Sequence, residues 1–303
     1  MSAADRPPVG LFTDFGLAVD VRGGVDRQPL LFLHGGPGQG AGLFMAEQGD
    51  RLANRLRVFG LYQRGIPPSA RLGEGGSLMI SDLLADCERL RGAFGIDRWA
   101  VLGHSFGGAL ALRYAVHAPE HVSAVIFENP VWSTSLSAGA ALPKVANLLK
   151  PANPEAAQRA VAASRGADKE ANVWAEYRTA IEVLGDRRLN FFTTNARTRA
   201  LLAASEDPDP QRDAEATRHH VAVMQDPTVH DSLLPLLPRL SCPSLLIVGE
   251  DDPLTSEEQR QAFAEAVAVS RISKINGAGH FVHVDRPDQY AELVTDFLTS
   301  PPR

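Results

Sequence analysis

Two cysteines in 303 residues, Cys87 and Cys242, leave little room for sulfur chemistry. A disulfide framework needs more of them, and a zinc knuckle needs them closer together. Cys87 falls with Leu83, Leu90 and Phe94 on the apolar face of an expected helix, where a thiol packs as a small hydrophobe. Long apolar runs are also missing, and no window approaches the roughly eighteen apolar residues that a membrane-spanning helix needs. The opening MSAADRPPVG contains no apolar signal core, so the expected location is cytoplasmic. Positive charge is in deficit: 30 Lys+Arg against 36 Asp+Glu give a formal net charge of −6. That balance disfavours nucleic acid or an anionic membrane as a partner. The partner expected instead is a small-molecule or short-peptide substrate. Neither an internal repeat nor a low-complexity linker divides the chain.

A hydrophobic content of 44% supports a substantial core, and the length suits one large α/β domain or such a domain with an insertion. Strand and helix patterns alternate through the first 130 residues, the signature of a mostly parallel sheet. Strands are expected at 11–13 and 17–21 as a hairpin, then at 29–33, 57–61, 99–102 and 122–127. Ser81 is placed to cap a helix running to about Phe94 and closed by Gly95. After Glu128-Asn129-Pro130 the rhythm stops. Residues 131–238 show helical patterns only: Asn153 capping 154–163, then 169–184 and 213–224, punctuated by SEDPDP. Strands return at 244–248 and 271–275, with helices near 257–267 and 287–298. The expected organisation is a core of residues 1–130 and 239–303, with a helical cap at 131–238 between its two pieces.

The chemistry concentrates where the apolar run Trp99-Ala100-Val101-Leu102 meets Gly103-His104-Ser105-Phe106-Gly107. G-x-S-x-G alone is short enough to arise by composition, or from simple helix–strand packing. Here it lies between a buried strand and a helical apolar face of Ala109, Leu110, Leu112 and Ala115. That frame is a nucleophile elbow, in which a strained serine is lifted clear of the sheet and the flanking glycines avoid a collision.

A neutral serine needs a base, and the base needs a carboxylate to hold its tautomer. In such a sheet both belong to loops after later strands, acid before histidine. Strand 244–248 runs into Gly249-Glu250-Asp251-Asp252-Pro253, and strand 271–275 into Asn276-Gly277-Ala278-Gly279-His280. Asp252, deepest in its loop, is the expected acid, with Glu250 and Asp251 solvated. His280 is the expected base; His283 is the alternative, more often packed against the last helix. His219-His220 lacks partners at ligand spacing and reads as a solvated pair, so no metal and no cofactor are expected. An oxyanion hole needs two inward N–H groups. Phe106 supplies one, and the loop His34-Gly35-Gly36-Pro37-Gly38 is placed to supply the other. No Lys-Ser/Thr follows that loop, which argues against phosphate binding.

HGGPG at His34, QRG at Gln63, GHSFGG at Gly103, GEDD at Gly249 and GAGH at Gly277 together resemble the α/β-hydrolase superfamily. HGGPG with QRG looks like its proline iminopeptidase branch. The resemblance covers roughly 10–130 and 240–300. It implies Ser105, Asp252 and His280 as the triad, the Gly36 and Phe106 amides as the oxyanion hole, and a substrate-selecting cap. Tyr62 stands where the family often has aspartate before QRG, a matter of local packing. A weightier departure lies in the cap. Family peptidases grip a free ammonium with glutamates, one of them closing W-x-x-W-E. The counterpart here, Trp174-Ala175-Glu176-Tyr177-Arg178, puts a cation at that place. Arg178 would repel an ammonium and attract a carboxylate or phosphate, unless Glu176 or Glu182 compensates. The implied activity is therefore cleavage of an aminoacyl amide, slightly favoured, or of an ester or lactone. Acyl transfer and a non-catalytic receptor role are the remaining readings. Epoxide hydrolases and haloalkane dehalogenases of this fold carry a carboxylate at the elbow, and Ser105 counts against both.

Overall fold

Alternating side chains along the apolar strand segments point to opposite faces, so a strand apolar on both must be covered on both. The computed structural model describes residues 10–73, 75–165, 170–205 and 210–299. Its strands are β1 (Gly10–Asp14), β2 (Leu17–Arg22), β3 (Gln28–Leu33), β4 (Leu56–Tyr62), β5 (Trp99–His104), β6 (Val122–Glu128), β7 (Ser244–Gly249) and β8 (Ser270–Ile275). They form one sheet in the order β1-β2-β4-β3-β5-β6-β7-β8. β1 and β2 run antiparallel to their neighbours; β3 to β8 are parallel. Leu31, Leu33, Phe59, Val101 and Phe127 bury into one core layer. Their sequence neighbours Leu30, Phe32, Val58, Leu102 and Ile126 bury into the other.

Parallel strands bring their C-terminal ends to one edge of the sheet. The loops after β3, β5, β6, β7 and β8 therefore meet there, although long stretches of sequence separate the parts of one site. Between β6 and β7 the described residues contain helices and no strand. These include Thr134–Leu149, Pro154–Arg165, Glu170–Leu184, Arg188–Phe192, Ala196–Ser205 and Pro210–Met224. Asn153 caps the second of these, its side-chain oxygen accepting from the Ala156 N–H at 3.0 Å. The expected helix start at Lys169 and positions 206–209 of SEDPDP lie outside the described residues, as do residues 1–9.

Some expected boundaries move. The helix assigned to a Ser81 cap begins earlier, at Ile80, and Ser81 lies inside its first turn. The reason is a distant acceptor: the Asp226 carboxylate takes the Ile80 N–H at 2.7 Å, and Asp82 takes that of Met79 at 3.0 Å. The helix expected from 213 starts at Pro210, a residue suited to a first turn where its missing N–H costs nothing. Cys87 and Cys242 are both buried and free. Among the described residues, no helix is long and apolar enough to cross a membrane.

Candidate active site

At the end of β5 the chain reverses sharply into the helix Phe106–His117, and Ser105 occupies the corner at φ 54°, ψ −119°. A non-glycine residue there costs about 1–3 kcal/mol, so the surroundings must impose the conformation. They do so through glycine. A Cβ on Gly103 would stand 2.1 Å from the Gly107 carbonyl oxygen, and one on Gly107 would stand 2.0 Å from that of Leu33. The Ser105 N–H donates to the Glu128 carbonyl at 3.0 Å, tying the corner to the end of β6.

Asp252 and His280, expected on the loops after β7 and β8, meet. His280 Nδ1 lies 2.7 Å from Asp252 Oδ1, with both side chains almost wholly buried. Burial pushes the Asp252 carboxyl up, but the His280 charge and hydrogen bonds from His280 and Thr255 outweigh it and hold it below its ordinary value. An ionised carboxylate only accepts, so Nδ1 carries a proton, and in the neutral ring it is Nε2 that holds the lone pair. Glu250 and Asp251 are exposed. The His280 loop is fastened from two sides. Asn129 Nδ2 donates to the carbonyls of Gly279 and His280 at 3.0 and 2.7 Å, and the His280 N–H donates to the Phe192 carbonyl at 2.8 Å.

The glycine loop after β3 comes against the elbow. A Cβ on Gly35 would lie 3.0 Å from that of Ser105, so the backbone itself forms the wall there. Gly36 takes φ +113°, a conformation that side chains resist. His34 links this loop to QRG: its Nε2 accepts the Gln63 N–H at 3.3 Å, while its Nδ1 lies 3.0 Å from the Gly35 carbonyl. Phe106 opens its helix, so its N–H has no acceptor within the helix.

Ser105, His280, Gly36 and Phe106 line one cavity of about 530 Å³. Trp174 and Arg178 line it too; Glu176 does not, and is exposed. Two residues from either of them along a helix, Glu176 lies on another face. His219 and His220 are not a solvated pair. His219 is fully buried, its Nδ1 2.8 Å from the Arg64 carbonyl, and His220 lines the cavity. The helix carrying them packs on the glycine loop: a Cβ on Gly38 would meet the Ala216 carbonyl at 2.9 Å.

Sequence reasoning missed a buried cluster beneath the elbow. Glu128, wholly buried, accepts from the His283 N–H at 2.9 Å, from His283 Nδ1 at 2.9 Å and from the Tyr290 hydroxyl at 3.1 Å. His104 Nδ1 lies 3.4 Å away. Burial pushes the Glu128 carboxyl up, but His283 and His104 hold it well below the usual carboxylate range. The His104 ring is also 4.9 Å from that of His280. The one available signal was a glutamate ending an otherwise apolar strand, VIFE. His104, Glu128 and His283 are also the described residues whose ligand-type atoms come within 4.8 Å of one another. The Glu128 oxygens are met by donors from His283 and Tyr290, while His104 Nδ1 is buried with no hydrogen-bond partner among the described residues.

A family model described as the alpha/beta hydrolase fold matches residues 28–287. The chain belongs to that family. A proline iminopeptidase from Heyndrickxia coagulans is 25% identical over 281 residues, 90% of this chain and 91% of the relative. The α/β-hydrolase fold recurs in the crystal structure of a proline iminopeptidase from Mycobacterium smegmatis, at TM-score 0.71, 24% identity and coverage of 95% and 97%. It recurs again in an enol-lactonase from Burkholderia xenovorans LB400, at TM-score 0.60, 19% identity and coverage of 96% and 100%. This α/β-hydrolase is thus proline iminopeptidase-like in sequence and shares its fold with a lactonase.

Burial also gives the protein an acid limit. It lowers His34 to about 3 and His104 and His219 to about 4. The unfolded chain binds these protons near pH 6.5, the folded chain only far below. Stability is therefore full above pH 6.5 and falls as pH drops toward 4. Three such groups give a slope of up to about 4 kcal/mol per pH unit. Asp252 and Glu128 add losses only from their ordinary carboxyl values of 3.8 and 4.5 downward, where the unfolded chain takes up protons that the folded one still refuses. Denaturant unfolding between pH 7.5 and 4.5 measures the slope; a flat profile from about pH 6.5 to 5 contradicts it.

Proposed function

We propose that the protein is a serine hydrolase acting through an acyl-enzyme on a small carboxylic ester or lactone. The reading rests on the 2.7 Å Asp252–His280 hydrogen bond, which leaves His280 Nε2 as a base in the cavity that Ser105 also lines. His280 Nε2 takes the Ser105 proton as Oγ bonds to the substrate carbonyl carbon. The resulting oxyanion receives the Gly36 and Phe106 N–H groups, assisted by the positive end of the helix that Phe106 begins. Collapse breaks the bond to the leaving group, which takes the proton from His280. Water then repeats the attack and frees Ser105. Residues 131–238 act as the cap that shapes substrate choice, since Trp174, Arg178 and Phe192 contribute to the cavity wall.

Aminoacyl-amide cleavage is the second reading, favoured by the similarity to the Heyndrickxia coagulans proline iminopeptidase. Against it, the carboxylate that lines the cavity among the described residues is Asp231, and its charge acts on Arg113, which lines the same wall. Comparing turnover of aminoacyl arylamides with short acyl esters separates the two. Esters alone should react; arylamides turned over faster would replace the first reading with the second.

A further inference from the structure

The cavity wall is mostly apolar, and its formally charged side chains among the described residues are Arg113, Arg178, Arg188 and Asp231. Three arginines and one aspartate thus line it. Asp231 and Asp226 offset the charge of Arg113. Among the described carboxylates, Arg178 has Glu182 nearby at 3.6 Å, and that side chain is 69% exposed, so the pair is weak.

Arg178 belongs to an organised face. Trp174, Tyr177, Arg178 and Ile181 follow i, i+3, i+4, i+7 spacing on the helix Glu170–Leu184, and all four line the cavity. The Trp174 indole N–H is buried and has no acceptor among the described residues. An indole N–H and a guanidinium can only donate. Side by side, they want an acceptor, best an anionic one, and offer an ammonium nothing.

The same face is tied to the reaction centre. Arg178 donates to His220 Nε2 at 2.7 Å, and His220 Nδ1 lies 3.3 Å from the Pro37 carbonyl, directly after Gly36. Arginine cannot accept and a carbonyl cannot donate, so the ring is neutral with its proton on Nδ1. One imidazole therefore separates the guanidinium from the oxyanion loop, and one short molecule can reach both.

We infer that the substrate carries a carboxylate at the end remote from the scissile carbonyl, received by Arg178 and the Trp174 N–H. This rests on the acyl-enzyme reading and names its substrate class: half-esters or lactone relatives of short dicarboxylic acids. The probes are mono-p-nitrophenyl adipate and p-nitrophenyl hexanoate, equal in acyl chain length and differing by a carboxylate. The wild-type protein should prefer the adipate by about 10- to 100-fold in kcat/KM, the range of one or two charge-assisted hydrogen bonds. Arg178→Gln should lower that ratio at least about tenfold. Trp174→Phe, which removes only the N–H donor, should lower it about fivefold. The ratio cancels any damage common to both esters, and labelling by a neutral fluorophosphonate shows that each variant is folded around Ser105. A wild-type ratio of one or less with both esters turned over overturns the proposal, as does an undiminished ratio in both variants. If Ser105 is not labelled and neither ester reacts, the acyl-enzyme reading itself has failed, and the substrate class falls with it.

Discussion

Ser105→Ala is expected to lower kcat about a million-fold and to abolish labelling by fluorophosphonates, with substrate binding retained. The size follows from what is removed. In the proposed acyl-enzyme mechanism His280 and Asp252 act only through the Ser105 oxygen, so without it their 2.7 Å hydrogen bond has nothing to activate. The Gly36 and Phe106 amides, as the proposed oxyanion hole, would still polarise a bound carbonyl and leave a residual rate about a thousandfold above water. Alanine keeps the Cβ that packs against Gly35, and it tolerates φ 54° no better than serine, so stability should hardly change. Ser105→Gly separates strain from chemistry. It should be equally inactive, yet more stable by about 1 kcal/mol, because glycine adopts that corner freely. Single-turnover kinetics and thermal unfolding measure the two effects. A Ser105→Ala protein within tenfold of wild-type turnover would mean that another group is the nucleophile.

Much of this site was legible because its parts sit where apolar strands end. Val101-Leu102-Gly103, Leu246-Ile247-Val248 and Leu31-Phe32-Leu33 are unmistakable as buried strands, and parallel topology gathers the loops that follow them. The crowding of Gly103 against Gly107 was readable for the same reason, being local to one turn. What escaped depends on contacts across long separations. Nothing near Ser81 announces that Asp226 will cap its helix from a distance of 146 residues. His219 and His220 look alike in sequence, yet one is sealed against the Arg64 carbonyl and the other faces the cavity. The helix Thr134–Leu149 was hidden by Gly139 and Pro143, residues that weaken a helical reading until neighbouring helices bury its small side chains. The helical insertion was foreseen as a stretch without strands, whereas the face that lines the cavity required the register of the helix carrying Trp174 and Arg178.

Glu128 gives the second large effect, on stability rather than chemistry. Its buried carboxylate serves three donors from two residues, His283 and Tyr290, and the next residue, Asn129, clamps the His280 loop. Glu128→Leu fills similar space but leaves the His283 N–H and Tyr290 O–H without acceptors in a dry interior. Each such orphan costs about 1–3 kcal/mol, so the variant should lose about 3–5 kcal/mol, a fall of roughly 6–15 °C in Tm. Glu128→Gln should lose less, about 1–2 kcal/mol. Its remaining oxygen can accept from His283, and its new NH2 can donate to Tyr290, whose hydroxyl turns to accept. The order of the two variants is the diagnostic, because a merely apolar pocket would favour leucine over glutamine. Denaturant unfolding of both variants against wild type measures it. Glu128→Leu as stable as the wild type would show that the cluster contributes nothing, and that the end of β6 is held by backbone pairing alone.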